Sequence, residues 1–417
     1  MWLPVSIALS SELGKLILLV LVPTISLTNQ WSNELLNFNY EDVILVSSDN
    51  SSWSSELQSV LNSFKLETRK KVAIIATYDS FKTPKFQSFC IKFPNETMLL
   101  ADEAHNMGAP EVLNKLPHKI RYRLGLSATP HRHFDDSGTN EFLMYFNVAK
   151  ASTFVFSMHE AISKQYLCQY KLFPHFAKLN EKEYVEYIKL TKAIASRAHI
   201  VKNKFTSTDA KLERMLRDRR NILNKAAAKK KIVGEIIDQI KRDGEIHHTL
   251  IYSPEGMNEE ENSNIIDDLG RFLAFDKGLR IAQFTGTTPP DERNELLNEF
   301  EKGKIQCLLA MKCLDEGIDV KQTETAIFVS STTNPRQYVQ RRGRVLRVHN
   351  KKPLAYIHDI IAIPPKLQLD DPKIKEIDKI ILTQEFKRYK EFAEDALNYV
   401  DAITPIKELC KEYNIEL

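Results

Sequence analysis

The most restrictive feature of the sequence is a series of short apolar runs that alternate with longer polar or amphipathic stretches. Strands that alternate with helices at this spacing predict an α/β fold with mostly parallel sheets. In such sheets the functional residues lie at the carboxyl ends of the strands. The runs span residues 16–22, 42–48, 71–78, 97–105 and 121–130, and then 248–255, 279–286, 305–313, 325–331 and 353–360.

The composition excludes several classes of protein. The chain has 417 residues, of which 43% are hydrophobic and 27% are charged. These values exclude a collagen, a disordered tail and a small disulfide scaffold, and at roughly 150 residues per domain the length predicts two or three domains. Five scattered cysteines without a CxxC pair indicate neither a zinc site nor a disulfide framework, so we expect a reducing, cytoplasmic location.

The apolar start of the chain permits two interpretations. The run at 16–22 is far shorter than the roughly 18–20 residues that cross a bilayer, and Glu12 and Lys15 interrupt the apolar stretch before it. No basic segment precedes the first apolar residues, as it would in a secretory signal. We therefore predict a buried parallel strand, with a targeting segment as the alternative.

Charge is distributed unevenly, although the formal net charge is only +3. Residues 151–245 have few strand signals and predict a helical segment. Between Arg197 and Lys231 there are twelve Lys or Arg against three Asp or Glu. This indicates either a solvated helix face or a surface that binds the phosphates of a nucleic-acid backbone. After Lys373 a charged amphipathic stretch predicts a C-terminal helix to about Ala402.

Two adjacent carboxylates, Asp102 and Glu103, end the fourth apolar run. Phosphoryl transfer uses one acid to hold Mg²⁺ and one to orient and deprotonate the attacking water. Taken alone, the string DEAH is also compatible with a solvated turn. Two further patterns follow it in the sequence, SATP at 127–130 and QRRGRVLR at 340–347.

With these patterns in this order, the chain resembles the superfamily 2 helicases, the DEAD/DEAH-box group of nucleic-acid-dependent ATPases. It is most similar to bacterial and phage DEAH helicases related to restriction and repair translocases. The matching strings, from motif Ia to motif VI, are VPTISLTNQW, ATYDSF, DEAH, SATP, LIYSP, CLDEGIDV and QRRGRVLR.

The resemblance implies a fold and a domain organisation. The fold is two RecA-like parallel-sheet lobes, the P-loop NTPase helicase fold, which hold ATP between them. We expect an incomplete first lobe at 1–150, a basic helical insertion at 151–245, a second lobe at 246–365 and a helical tail at 366–417.

The resemblance also implies roles for individual residues. Asp102 would bind Mg²⁺ and Glu103 would be the general base. Arg344 and Arg347 match the arginine fingers that neutralise charge on the γ-phosphate, with salt bridges on a helix as the alternative. The residues that would contact or sense the nucleotide are His105, Gln340, Gly317 and Asp319. Those that would couple the state of ATP to the grip on nucleic acid are Ser127 and Thr129.

Contacts to nucleic acid are implied for loops at strand ends, where backbone amides and hydroxyls suit sugar-phosphate binding. Ordinary turn caps are the alternative for these residues, and we predict that Gln30 and Trp31 are packing residues. DNA is favoured over RNA, with a nuclease or methyltransferase subunit as a potential partner and no membrane. The implied contact residues are Pro23, Thr24, Thr77, Tyr78, Thr285 and Gly286.

The sequence departs from the family in one respect. The phosphate-binding string GxxxxGK[ST] does not occur, and the fragment Gly14–Lys15 lacks both the first Gly and the hydroxyl residue. In the family this loop precedes motif Ia, so we expect an N-terminally truncated chain with a separate N-terminal fragment as partner. We therefore predict weak or absent ATP turnover by this chain alone, the alternative being a catalytically silent nucleic-acid-binding fragment.

Overall fold

The computed structural model describes most of the chain, which divides into two compact units, Met1–Val155 and Phe156–Leu417. Each unit contains one large parallel sheet, in agreement with the predicted α/β class. The described residues are 3–40, 42–128, 130, 136–148, 154–197, 200–201, 204–205, 210–258, 263–311, 320–330, 335–350, 352–364 and 372–416.

The first unit is built on a five-stranded sheet with the order β2-β3-β1-β4-β5, in which every neighbouring pair is parallel. All five strands match predicted apolar runs. The strands are β1 (Leu16–Val22), β2 (Asp42–Val46), β3 (Lys71–Thr77), β4 (Thr97–Ala101) and β5 (Tyr122–Gly125).

Strand β1 lies in the middle of this sheet, and all seven of its residues are fully buried. Leu16, Leu18 and Val20 face one apolar cluster, whereas Ile17 and Leu19 face the other. A strand covered on both faces needs apolar residues at every position, which explains the unbroken run. The prediction of a buried parallel strand is therefore confirmed.

Helices cover both faces of the first sheet. Three of them, α2, α4 and α5, begin after a threonine whose hydroxyl accepts a hydrogen bond from the backbone N–H three residues later. The helices are α1 (Leu3–Leu13), α2 (Ile25–Asn37), α3 (Trp53–Lys65), α4 (Tyr78–Phe81), α5 (Pro84–Cys90), α6 (Pro110–Leu113) and α7 (Asp136–Tyr145), with a 3₁₀ turn at Ala104–Gly108.

The fragment Gly14–Lys15 forms the turn between α1 and β1. Gly14 has a φ of +75°, a left-handed conformation that often ends a helix and favours glycine. Lys15 forms a 2.8 Å ion pair with Glu67. These contacts are those of a helix-to-strand turn rather than of a phosphate-binding loop.

The second unit contains a six-stranded parallel sheet with the order β12-β13-β9-β14-β15-β6. The five apolar runs predicted for this part of the chain are β9, β12, β13, β14 and β15. The strands are β6 (Gln169–Lys178), β7 (Ile200–Val201), β8 (Lys204–Phe205), β9 (Thr249–Tyr252), β10 (Met257–Asn258), β11 (Ser263–Asn264), β12 (Ile281–Phe284), β13 (Cys307–Ala310), β14 (Thr325–Phe328) and β15 (Leu354–Ile363).

The helices of the second unit pack on both faces of this sheet and beside it. The helices are α8 (Met158–Ser163), α9 (Glu181–Arg197), α10 (Ala210–Asn224), α11 (Ala228–Asp243), α12 (Ile265–Arg271), α13 (Pro290–Glu301), α14 (Pro335–Val345), α15 (Pro372–Ala393) and α16 (Tyr399–Glu412), with a π-helical turn at Phe272–Asp276.

Two predictions for the second unit are wrong in part. The segment predicted to be helical contains β6, which pairs with β15 over ten residues and contributes to the main sheet. The single predicted C-terminal helix is two helices, α15 and α16. Helix α15 also packs against α9, so the basic segment and the C-terminal segment belong to one helical layer. The finer division of this unit stays a prediction.

None of the helices that the structure describes combines the length and the apolar character that crossing a bilayer requires.

Candidate functional site

The two carboxylates of the DEAH string follow β4 directly, between the ends of its two neighbouring strands. The backbone N–H of Asp102 donates to the carbonyl of Leu21 in β1 at 2.8 Å. The N–H of Ala104 donates to the carbonyl of Leu126, just beyond β5, at 2.8 Å. The carboxylates are therefore fixed at the carboxyl edge of the sheet, where parallel α/β folds place their sites.

The carboxylate of Asp102 accepts two hydrogen bonds. Trp31 Nε1 donates to Oδ2 at 2.9 Å, and the backbone N–H of Glu103 donates to Oδ1 at 2.9 Å. Burial raises the pKa of Asp102, and both hydrogen bonds oppose this rise. A nearby cation would further favour the charged form, so this half-buried carboxylate fits a metal ligand.

Magnesium suits this position better than a metal that needs a cage of side chains. Among the residues that the structure describes, no group of three or more His, Cys, Asp or Glu side chains is arranged to hold a metal ion. Mg²⁺ at nucleotide sites commonly takes one or two carboxylates and completes its shell with phosphate oxygens and water. Asp102 provides such a carboxylate.

Glu103, His105 and Ser127 form a chain of polar contacts between the ends of β4 and β5. Glu103 has φ 47° and ψ 51°, a left-handed conformation that non-glycine residues rarely adopt. Its Oε2 lies 3.3 Å from His105 Nδ1, and the same nitrogen lies 3.2 Å from Ser127 Oγ. His105 is only 4% exposed. The structure thus brings together three residues that the sequence predicts as functional.

Tyr78, one of the residues predicted to contact nucleic acid, is the first residue of α4. Its side chain is buried, and its hydroxyl donates to the backbone carbonyl of Asp102 at 2.8 Å. Burial raises the pKa of Tyr78 well above its ordinary value, so the phenol stays protonated and remains a donor. The tyrosine therefore links the end of β3 to the DEAH segment.

A cavity of about 560 Å³ lies at the carboxyl ends of β1, β2 and β3. It brings together three residues that were predicted to contact nucleic acid, Pro23, Thr24 and Thr77. The Thr24 and Thr77 hydroxyls accept backbone hydrogen bonds as helix caps, and the Thr77 hydroxyl also donates to Ser80 Oγ at 3.0 Å. The other lining residues are Ile25, Ser47, Ser48, Trp53, Asp79, Ser80, Thr83 and Lys85.

Three of the residues predicted to act on the nucleotide lie on and just after α14 in the second unit. Gln340 and Arg344 are four residues apart on this helix, and Arg347 follows its end. The Arg347 N–H donates to the Arg344 carbonyl at 3.4 Å. Residues three and four apart share a helix face, and all three side chains are half-buried.

The other two arginines of this string have a packing role. Arg341 and Arg342 are buried, with 4% and 7% exposure. The guanidinium of Arg341 lies 5.0 Å from the centre of the Tyr252 ring, and that of Arg342 lies 4.5 Å from the Phe392 ring. These cation–π contacts fix α14 to the core of the second unit.

Thr285 and Gly286 lie in a tight turn after β12. The Thr285 N–H donates to Thr288 Oγ1 at 3.0 Å, and Arg293 Nη2 donates to the Gly286 carbonyl at 2.9 Å. Gly286 is exposed. The turn is therefore held in shape while its outer surface stays open to a ligand. Three other predicted site residues lie outside the described part of the chain, namely Thr129, Gly317 and Asp319.

The sequence did not identify two tryptophans near these residues as functional. Trp31, predicted to be a packing residue, packs against the apolar face that contains Leu18 and also donates to Asp102. Trp53 lines the cavity. One clue was available for Trp31, because an indole N–H on a partly buried helix face needs an acceptor.

Comparisons with known proteins agree with this architecture. The model of the family described as "Type III restriction enzyme, res subunit" matches residues 5–132, and that of the "Helicase conserved C-terminal domain" matches residues 228–349. The DNA 3'-5' translocase XPB2 of Sulfurisphaera tokodaii is 28% identical over 349 residues, which cover 82% of this chain and 71% of that protein. The RNA helicase DDX51 of Mus musculus is 37% identical over 90 residues, 22% of this chain and 14% of that protein.

A solved structure supports the fold. The ATP-dependent type ISP restriction-modification enzyme LlaBIII, bound to DNA, superposes with a TM-score of 0.57 at 18% identity. The match covers 93% of this chain but only 27% of that enzyme. The predicted fold of two RecA-like lobes is confirmed. The chain belongs to the superfamily 2 helicases of the restriction and repair type.

Proposed function

We propose that the chain is an ATP-dependent helicase or translocase of the DEAH type. The observation that carries this proposal is the pair of carboxylates at the end of β4. Asp102 is held there by Trp31, and Glu103 lies beside His105. Two differently held acids at one strand end suit the separate tasks of binding Mg²⁺ and activating water.

Each of these residues has a distinct role in the proposed hydrolysis of ATP. Asp102 holds Mg²⁺, which neutralises phosphate charge when it is bound. Glu103 accepts the proton of the attacking water, and His105 orients the Glu103 carboxylate from 3.3 Å. Arg344 and Arg347 donate to the γ-phosphate oxygens. Gln340, Gly317 and Asp319 are the further nucleotide contacts, while Ser127 and Thr129 pass the state of the nucleotide to the strand-end loops.

We propose that the nucleic acid is DNA rather than RNA. Two similar proteins, one from Sulfurisphaera tokodaii and one a restriction-modification enzyme, are described with DNA, and five matches to RNA helicases span only 70 to 125 residues. The cavity around Thr24 and Thr77 and the turn at Thr285 and Gly286 offer hydroxyls and backbone groups to the strand. Such contacts hold phosphates and do not read bases.

A second candidate function is a catalytically silent nucleic-acid-binding protein. It is favoured by the absence of GxxxxGK[ST] from the 417 residues. That loop supplies the lysine and the hydroxyl that meet the phosphates and Mg²⁺. We therefore expect slow turnover or none by this chain alone, and efficient turnover only with a partner that supplies the loop.

The test is ATP hydrolysis by the purified chain, with and without single-stranded DNA, beside the variant Glu103→Gln. A matched control is Glu111→Gln, which removes a carboxylate that is 74% exposed and pairs with Lys82. Kinases, which also transfer phosphoryl groups, turn over at roughly 1–100 per second, and loss of a general base costs about 10²- to 10⁴-fold.

Three outcomes separate the candidates. DNA-stimulated turnover at that rate, lost in Glu103→Gln and kept in Glu111→Gln, supports the motor and overturns the expectation of slow turnover. Absent turnover with salt-sensitive DNA binding supports the silent protein. Absence of both turnover and binding contradicts both candidates.

A further inference from the structure

Trp53 presents an aromatic ring to the cavity at the carboxyl ends of β1, β2 and β3. It is the first residue of α3 and is half-buried. Two phenylalanines support its ring, since Phe86 and Phe89 each lie with their ring centre 5.9 Å away, in tilted and edge-on arrangements. The contacts with Phe86 and Phe89 therefore fix the orientation of the indole.

The exposed Lys85 lies over the same ring. Its Nζ is 4.9 Å from the centre of the Trp53 ring. A lysine at this distance makes a weak cation–π contact, of about 0.5–1 kcal/mol at an exposed site, on a side chain with four rotatable bonds. Such a contact is readily exchanged for a phosphate.

The cavity thus combines two kinds of recognition. The Thr24 hydroxyl and the positive charge of Lys85 both suit phosphate oxygens, whereas the Thr77 and Thr83 hydroxyls donate to Ser80. Trp53 provides a flat π-surface. A free phosphate would use only the first set, and an apolar peptide only the second. A nucleotide of a single strand carries both a phosphate and an unpaired base.

We propose that Trp53 stacks on an unpaired base of a single-stranded nucleic acid, while Lys85 leaves the ring and pairs with a neighbouring phosphate. This inference rests on the proposed function and adds a site to it, since that function required only contacts to the backbone. Stacking tolerates every base, so it adds affinity without sequence preference. It also favours single strands over duplexes, because paired bases cannot reach the ring.

The test compares two strands of equal length, an oligothymidylate and an abasic strand with the same phosphates. Affinities of both are measured for the full chain and for Trp53→Ala, Trp53→Phe and Lys85→Ala. The matched control is Phe93→Ala, which removes an aromatic neighbour of Phe86 that does not line the cavity. Intrinsic fluorescence reports stacking directly, and thermal melts establish that each variant is folded.

We expect Trp53→Ala to weaken binding of the oligothymidylate by about 5- to 150-fold, the effect of losing one stacked base, and to leave the abasic strand unaffected. Trp53→Phe should keep most of the affinity but lose the fluorescence quench. Lys85→Ala should weaken the binding of both strands to a similar degree, and Phe93→Ala should weaken the binding of neither.

The inference fails if Trp53→Ala binds the oligothymidylate as well as the full chain does, or if it loses affinity for both strands equally. In either case the proposed nucleic-acid function still stands. If the unaltered chain binds neither strand, the proposed function itself is contradicted, and the stacking site with it.

Discussion

The indole of Trp31 donates a 2.9 Å hydrogen bond to the carboxylate of Asp102, which lies 71 residues further along the chain. The bond joins α2 to the end of β4. It satisfies one oxygen of a carboxylate whose burial disfavours its charge. Part of the free energy that holds the DEAH segment in place therefore comes from α2.

Removing this bond should destabilise the first unit. Trp31→Phe keeps most of the ring but removes the donor to Asp102 Oδ2, so we expect the free energy of unfolding to fall by about 1–3 kcal/mol. Urea denaturation measures this change. In a double-mutant cycle with Asp102→Asn, the two losses should not add. Strict additivity would show that the contact contributes nothing.

A buried charge pair holds the helical layer of the second unit together. Arg219 on α10 is 1% exposed and bonds both Asp378 on α15 and the Tyr187 hydroxyl on α9. Tyr187 in turn donates to Asp378 at 2.7 Å. Loss of one member of such a pair leaves a buried charge without compensation.

Asp378→Ala should therefore lower the free energy of unfolding by about 3–5 kcal/mol in urea denaturation. The matched control Glu376→Ala removes an exposed carboxylate from the same helix and should change little. Replacing both partners by apolar residues, Arg219→Met with Asp378→Leu, should recover much of the loss. A cost below 1 kcal/mol for Asp378→Ala would contradict the buried pairing.

A variant on the exposed side of α10 tests whether the basic block, the basic residues between Arg197 and Lys231, binds nucleic-acid phosphates. Arg217 lies on this exposed side. If it contacts one phosphate, Arg217→Gln should weaken binding of all nucleic-acid sequences alike and reduce the salt slope of binding by about 1. Lys302→Gln, at the far end of α13, is the control with the same charge change. Equal affinities for both variants would favour a merely solvated helix face.

A pair of histidines predicts acid sensitivity of the second unit. His175 Nε2 lies 3.0 Å from His358 Nδ1, on the neighbouring strands β6 and β15. Burial, together with the smaller effect of the neighbouring His175, lowers the pKa of His358 to about 3. Burial also lowers the pKa of His175, although Asp359 and Glu235 oppose this shift.

Below a pH of about 6.5 the unfolded chain binds protons at these histidines and the folded chain does not. The neutral histidines therefore make their full contribution to the free energy of unfolding above that pH. This contribution falls as the pH drops toward 3, by up to about 1.4 kcal/mol per pH unit for each histidine. Urea denaturation at pH 7.5 and 5 should show a smaller difference for His358→Gln than for the unaltered chain. His159→Gln, at a side chain that is 82% exposed, should leave the difference unchanged.

The strands that the sequence predicts well are those buried on both faces, because each needs an unbroken apolar run. Strand β1 is the clearest case. Strand β6 was missed because it contains Pro174 and several polar residues, which an edge strand tolerates and a central strand does not. Its pairing with β15 joins segments far apart in sequence, and no local pattern encodes such a contact.

The residues of the site were likewise predictable only where their role depends on neighbours in sequence. Adjacent acids after an apolar run identify Asp102 and Glu103, because their chemistry depends on neighbours in sequence. The role of Trp31 depends on which strand β1 pairs with, and that of Trp53 on a cavity formed by three strands. The basic block is likewise not all surface, since Arg219 and Lys229 are buried and Lys229 donates to the Val329 carbonyl at 2.7 Å.

Both candidate functions require the chain to hold a nucleic-acid strand by its phosphates, so the most direct test is binding of single-stranded DNA at several salt concentrations. We expect the logarithm of the association constant to fall linearly with the logarithm of the salt concentration, by about 0.7 for each phosphate contacted, and to be similar for unrelated sequences. Binding that is absent, or that does not change with salt, would contradict the account.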